Sequence, residues 1–225
     1  MRSYLFPLLS DFEAGRNPEN AYWMKKYMKD QFEFYGVKTP ERRAMVKSFL
    51  KKYGMPPAGE FKPVIMECWA HEYRDWQYVA VSLLLEYIKK PERDIIGLFE
   101  FMIVNKSWWD TVDGIAGWLV GPLFNKYPDL IGPKTDQWMN SGNIWLQRTC
   151  LLYQLNYKKN TDTEILFRFI EQLSGESSFW IRKAIGWVLR EYSKTNPEAV
   201  LKFVNTHQLS PLSRKEALKV ISRKT

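Results

Sequence analysis

The sequence predicts an all-α fold, and three observations predict it: helix-start signals recur along the chain, strand alternation with Asn-Gly-type turns is hard to find, and aromatic residues return at a near-constant interval. In Thr39-Pro40-Glu41, Lys90-Pro91-Glu92, Asn196-Pro197-Glu198 and Ser210-Pro211, proline falls where a missing N–H costs a helix nothing. Ser107 and Thr161 are each followed three places on by an acid, Asp110 and Glu164, the spacing of a capping box. Trp76, Trp109, Trp145, Trp180 and Leu212 open similar apolar segments at intervals of 33, 36, 35 and 32 residues. The segments end near Tyr87-Ile88-Lys89-Lys90, Phe124-Asn125-Lys126-Tyr127, Tyr157-Lys158-Lys159-Asn160 and Tyr192-Ser193-Lys194-Thr195. A period of this size means stacked helix pairs. The tetratricopeptide signature is missing and the unit is shorter than a standard HEAT repeat. The expected architecture is therefore a HEAT-like helical-repeat solenoid, an α–α superhelix, forming a single domain over residues 1–225. Such a stack curves, and the positions after each Trp would line its concave face.

Composition fits a globular chain: 225 residues, 45% hydrophobic and 26% charged. The apolar patch from Leu5 to Leu9, interrupted by proline and followed by Asp11 and Glu13, is too short for a signal sequence or a membrane span, so the expected location is the cytoplasm. Cys68 and Cys150 are the only cysteines and His71 and His207 the only histidines. Neither a disulfide framework nor a zinc spacing can be assembled from them, and no metal or other cofactor is expected. The net charge of +8 is unevenly placed, with 14 Lys+Arg against 7 Asp+Glu in residues 141–225 and 19 against 18 in residues 1–140. A basic face kept only for solubility would account for the sum. Concentration in one third of the chain favours a polyanionic partner, nucleic acid.

Three positions stand out. In the helix after Ser107, Trp108, Val112, Ile115 and Leu119 fall in one stripe, the core. Trp109 and Asp113 are four apart and share the neighbouring face, where an indole and a carboxylate stand side by side. Asp113 could equally pair an arginine of the adjacent repeat. From Ile181 to Tyr192 the apolar stripe is Ile181, Ile185, Val188, Leu189 and Tyr192, which leaves Trp187 on the polar side with Lys183, Arg190 and Glu191. An indole there either packs on a neighbouring repeat or belongs to a nucleic-acid surface. Arg148 lies on the otherwise apolar Ile144, Leu151, Leu155 face and needs an anion, either Asp113 one repeat away or a DNA phosphate. Arg182, Lys183, Arg214 and Lys215 hold matching places in the following repeats, as a track of phosphate contacts or as a solvated face.

Taken together, Lys106-Ser107-Trp108-Trp109-Asp110 with Val112-Asp113, Asn143-Ile144-Trp145-Leu146-Gln147-Arg148, and Lys183-Ala184-Ile185-Gly186-Trp187-Val188-Leu189-Arg190-Glu191-Tyr192 resemble the AlkD family of alkylpurine DNA glycosylases. The likeness extends to Lys26-Tyr27-Met28-Lys29 and Thr39-Pro40-Glu41-Arg42-Arg43, and to Leu209-Ser210-Pro211-Leu212-Ser213, so it covers nearly the whole chain in order. It implies a monofunctional hydrolase of base excision repair that releases cationic N3- or N7-alkylated purines from duplex DNA. Trp109, Asp113 and Trp187 would form the active site, Arg148 would sit beside it and Tyr27 near the DNA. A cationic purine leaves as a neutral base, so one carboxylate suffices where ordinary glycoside hydrolysis needs two. The resemblance further implies a cytoplasmic protein working on the nucleoid, and the expected state is a monomer. Two other readings of the residues stay open: a protein that binds damaged or distorted DNA without catalysis, and a HEAT-type scaffold for protein partners. The basic C-terminal third counts against the scaffold.

Overall fold

A computed structural model describes residues 3–223. Among them the chain is helical and has no strand, an isolated parallel bridge between Glu33 and Tyr73 aside. It divides between Lys89 and Lys90 into two compact units.

The first unit contains α1 (Phe6–Ala14), α2 (Pro18–Tyr27), α3 (Thr39–Tyr53), α4 (Ala58–Ala70) and α5 (Arg74–Tyr87). Its core gathers Leu8 and Phe12 of α1, Val46 and Phe49 of α3, Trp69 of α4 and Trp76 of α5. Buried polar groups here close a helix end and tie down a connecting segment. Gln77 donates through Nε2 to the carbonyls of Cys68, Trp69 and His71, which end α4 and have no partner within it. Asp75 accepts from the Tyr35 N–H at 3.0 Å, and burial pushes its carboxyl above the usual range. Proline at the second position of α3 fits the expected start, and Glu41 Oε2 accepts from the Lys38 N–H at 3.1 Å.

The second unit contains α6 (Ile96–Val104), α7 (Trp109–Ile115), α8 (Gly121–Lys126), α9 (Ile131–Met139), α10 (Ile144–Leu152), α11 (Thr163–Leu173), α12 (Phe179–Tyr192), α13 (Pro197–Thr206) and α14 (Pro211–Leu218). The periodic residues fall where the repeat requires: Trp109 opens α7, Trp145 and Trp180 are second in α10 and α12, and Leu212 is second in α14. The stripe residues Val112, Ile115 and Leu119 are fully buried. Trp108 ends the stripe at the N-cap of α7, packed against Trp145 and Trp180 at ring-centroid distances of 5.8 and 5.0 Å. Asn196 and Ser210 cap α13 and α14 as expected, with proline following each.

Three helix starts differ from the sequence expectation. Ser107 makes no capping box with Asp110; its hydroxyl donates to the Ile103 carbonyl at 2.6 Å and closes α6 instead. At the next candidate Asp162, rather than Thr161, caps α11 by accepting from the Ile165 N–H at 3.0 Å, because a carboxylate one residue later meets the free N–H groups first. After Pro91 a 3₁₀ turn, Arg93–Ile95, precedes α6, and the Pro91 carbonyl is bonded by Lys126 Nζ and Tyr127 Oη at 2.9 and 3.2 Å.

Between α7 and α8 the helix widens to a π turn over Ala116–Val120. Asn156 Nδ2 donates to the Gly117 carbonyl at 3.0 Å and Tyr157 Oη to the Gly121 carbonyl at 2.8 Å, so the next repeat completes carbonyls at this altered ladder. The approach requires glycine, since a Cβ on Gly121 would lie 2.4 Å from the Tyr153 carbonyl oxygen.

Candidate active site

Helix α7 starts at Trp109 because Trp108 is extended at its N-cap and is anchored by the indoles of Trp145 and Trp180. One turn later the same helix presents Asp113, so the four-residue spacing sets indole and carboxylate on one face. Both are partly exposed and line a cleft of about 430 Å³ within the second unit. Arg148, Lys183, Trp187 and Arg190 line it too, with Phe179, Trp180, Glu216 and Lys219 completing the wall.

Arg148 meets Asp113 in a two-pronged ion pair, Nε to Oδ1 at 2.7 Å and Nη2 to Oδ2 at 2.8 Å. Its Nη1 donates to the Trp180 carbonyl, which fixes the guanidinium between two neighbouring repeats. The side chains are 5% and 14% exposed, so the pair is desolvated but keeps an opening on the carboxylate side. Burial pushes the Asp113 carboxyl above its ordinary range, and the Arg148 hydrogen bonds and charge pull against that shift. Each carboxylate oxygen gives one lone pair to Arg148 and retains another for a ligand or water. The anion that Arg148 needed is thus Asp113. Three of the five Arg148 N–H groups donate within the protein and the side chain is 5% exposed, so the expected phosphate contact has one N–H left on each Nη.

The remaining basic residues separate by environment. Lys183 and Arg190 reach the cleft, and both donate to Glu216 of α14. Arg182 does not line the cleft; its Nε donates to the Glu176 carbonyl at 2.8 Å. Arg214 is exposed but turns back to the Val204 carbonyl and Asn205 Oδ1, closing the end of α13. Lys215 is exposed. Tyr27, at the end of α2 in the first unit, is 67% exposed. Sequence reasoning missed Phe179, Trp180, Lys219 and above all Glu216. A signal was present: Glu216 follows Leu212 by four residues as Asp113 follows Trp109, so the two carboxylates share one place in the repeat.

No set of three or more His, Cys, Asp or Glu side chains is arranged to hold a metal among the described residues. Nor, among them, is any helix long and apolar enough to cross a membrane.

The sequence model of the DNA alkylation repair enzyme family matches residues 8–221. A solved Enterococcus faecalis structure, named a predicted DNA alkylation repair enzyme, is 33% identical, with 92% of this chain and 97% of that one covered and a TM-score of 0.86. AlkD2 from Streptococcus mutans shares the fold at 20% identity and a TM-score of 0.60, over 81% of this chain and 89% of its own. A second Streptococcus mutans protein, smu.31, does so at 18% and 0.61, over 89% and 98%. No curated protein matches.

Proposed function

The chain belongs to the DNA alkylation repair enzyme family, and from that premise we propose that it is a monofunctional glycosylase that hydrolyses the N-glycosidic bond of cationic N3- and N7-alkylpurines in duplex DNA. The observation that supports this most is the Asp113 carboxylate, fixed by Arg148 and open to a cleft flanked by Trp109 and Trp187. An alkylated purine already carries the positive charge that makes it a good leaving group, so its departure needs no acid. What the reaction needs is a fixed negative charge where the sugar becomes an oxocarbenium ion, and Asp113 supplies it. A free carboxylate lone pair orients the water that attacks C1′. The faces of Trp109 and Trp187 hold the sugar, exclude bulk water and favour the developing cation. Arg148 keeps the buried carboxylate charged and aimed. Water is the nucleophile in this scheme, so no Schiff-base lyase step enters it, and Lys183 of the cleft wall spends a hydrogen bond on Glu216.

The two-pronged pairing of Asp113 also suits the second reading, damaged-DNA binding without excision, in which the ion pair merely joins repeats. Single-turnover incubation with duplexes carrying one 7-methylguanine or one 3-methyladenine separates the two. Release of free base with an intact backbone is expected. Tight duplex binding without release, at enzyme excess, would leave only the second reading.

A further inference from the structure

Glu216 is 4% exposed, yet it is bonded by three cations. Lys183 Nζ donates to it at 2.9 Å, Lys219 Nζ at 2.7 Å, and Arg190 Nη1 to its other oxygen. Helix α14 can bring the carboxylate this deep because α12 has glycine opposite: a Cβ on Gly186 would lie 2.5 Å from the Glu216 Cβ. The cations are not buried with it. Their side chains are 37%, 28% and 44% exposed for Lys183, Arg190 and Lys219, and all three line the cleft that holds Trp109 and Asp113.

Three positive charges around one negative leave two positive charges in excess, with the carboxylate behind and the cations in front. A structural ion pair has no use for that surplus, and convergent cations repel one another unless something holds them together. Burial, and after it the charges of Lys219, Arg190 and Arg148, pulls the Lys183 amine below its usual range. A phosphodiester has the right sign of charge, one negative against the surplus of two, and three or more acceptor directions for such donors.

We propose that Lys183, Arg190 and Lys219 form a binding site for a single DNA backbone phosphate on the cleft wall, with Glu216 as the positioning residue that holds them convergent. The inference rests on the reading that the chain binds DNA, and it sets Glu216 apart from its repeat equivalent: Asp113 faces the reacting sugar, Glu216 faces its own cations. The test is a scan in which one phosphate at a time near the lesion is replaced by an uncharged methylphosphonate and equilibrium binding is measured. One linkage should weaken binding to the parent protein by about tenfold, the size of one hydrogen bond to a charged group. The same replacement should cost Glu216→Gln less than about twofold, since a neutral side chain no longer gathers the triad. Lys219→Met removes one donor and leaves the buried carboxylate with Lys183 and Arg190, and it should blunt the sensitivity at the same linkage even if the Gln variant melts early. If duplex binds but no linkage distinguishes parent from Glu216→Gln or Lys219→Met, the phosphate site is wrong and the DNA reading stands. Failure of the parent to bind any duplex would remove the DNA reading and this site with it.

Discussion

Asp113 is a buried charge whose cost is met by one guanidinium, and both its chemistry and its pH response follow. Asp113→Asn keeps size and hydrogen bonding but deletes the charge, so single-turnover base release should fall by about 10²–10³ while duplex affinity is retained. Equal rates in the two folded proteins would reduce Asp113 to a partner of Arg148. Because burial raises its pKa, the carboxylate is lost at a higher pH than in a free aspartate, and the acid limb of the rate profile should lie above about pH 3.9. In stability the sign reverses: the folded state takes up this proton more readily than the unfolded chain, so acidification through that window does not unfold the protein through Asp113. Arg148→Met strands the charge and should destabilise by about 3–5 kcal/mol, more than Asp113→Asn does, which thermal melting of the pair of variants will rank. The shared face of Trp109 and Asp113 was legible in the sequence because it depends on spacing within one helix. For Arg148 the sequence offered Asp113 or a phosphate without choosing between them, because residues 35 apart meet only through the register of two packed repeats.

At the level of the helix, the sequence was most readable where a local group does the work. Asn196 and Ser210 bond the first turns of α13 and α14 directly, and proline sits beside each. It was least readable where a second local acceptor competes or another repeat supplies the partner. Ser107 had the right neighbours for a cap but was drawn to the carbonyl of Ile103, and nothing in Ala116-Gly117-Trp118-Leu119-Val120 announces a π turn. That turn is held by Asn156 and Tyr157 from the following repeat and by the absence of a side chain on Gly121. Gly121→Ala should therefore cost about 1–3 kcal/mol, as overpacking does, since backbone rather than a flexible side chain must yield. Gly132→Ala is the control, because a Cβ there meets nothing within 4 Å. A Gly121→Ala melting temperature equal to that of the control would mean that α8 and the end of α10 are not in register as described.

Across the whole chain the readable quantities were the repeat period and the charge, because both are sums over many residues and survive errors at any one. The 33- to 36-residue interval between tryptophans marks helix starts in both units. Which basic residues remain available to a polyanion was hidden, since that depends on the carboxylates and carbonyls that folding brings to them. Arg148 pairs with Asp113 and Arg214 turns to the end of α13, whereas Lys215 is exposed and Arg182 commits only its Nε. If the surplus in residues 141–225 is what holds DNA, the logarithm of the duplex association constant should fall linearly with the logarithm of salt concentration. Each lost phosphate contact should then flatten that slope by about 0.9. Arg182→Gln and Lys215→Gln together should flatten it by nearly two such steps while leaving base release at saturating enzyme unchanged, because neither side chain lines the cleft. Lys47→Gln with Lys51→Gln removes two exposed charges from α3, in the part of the chain where 19 basic residues face 18 acidic ones, and should leave the slope where it was. Titrations of all three proteins over the same salt series decide the matter: equal flattening by both pairs would mean that affinity follows net charge alone and that the C-terminal excess has no privileged part in binding.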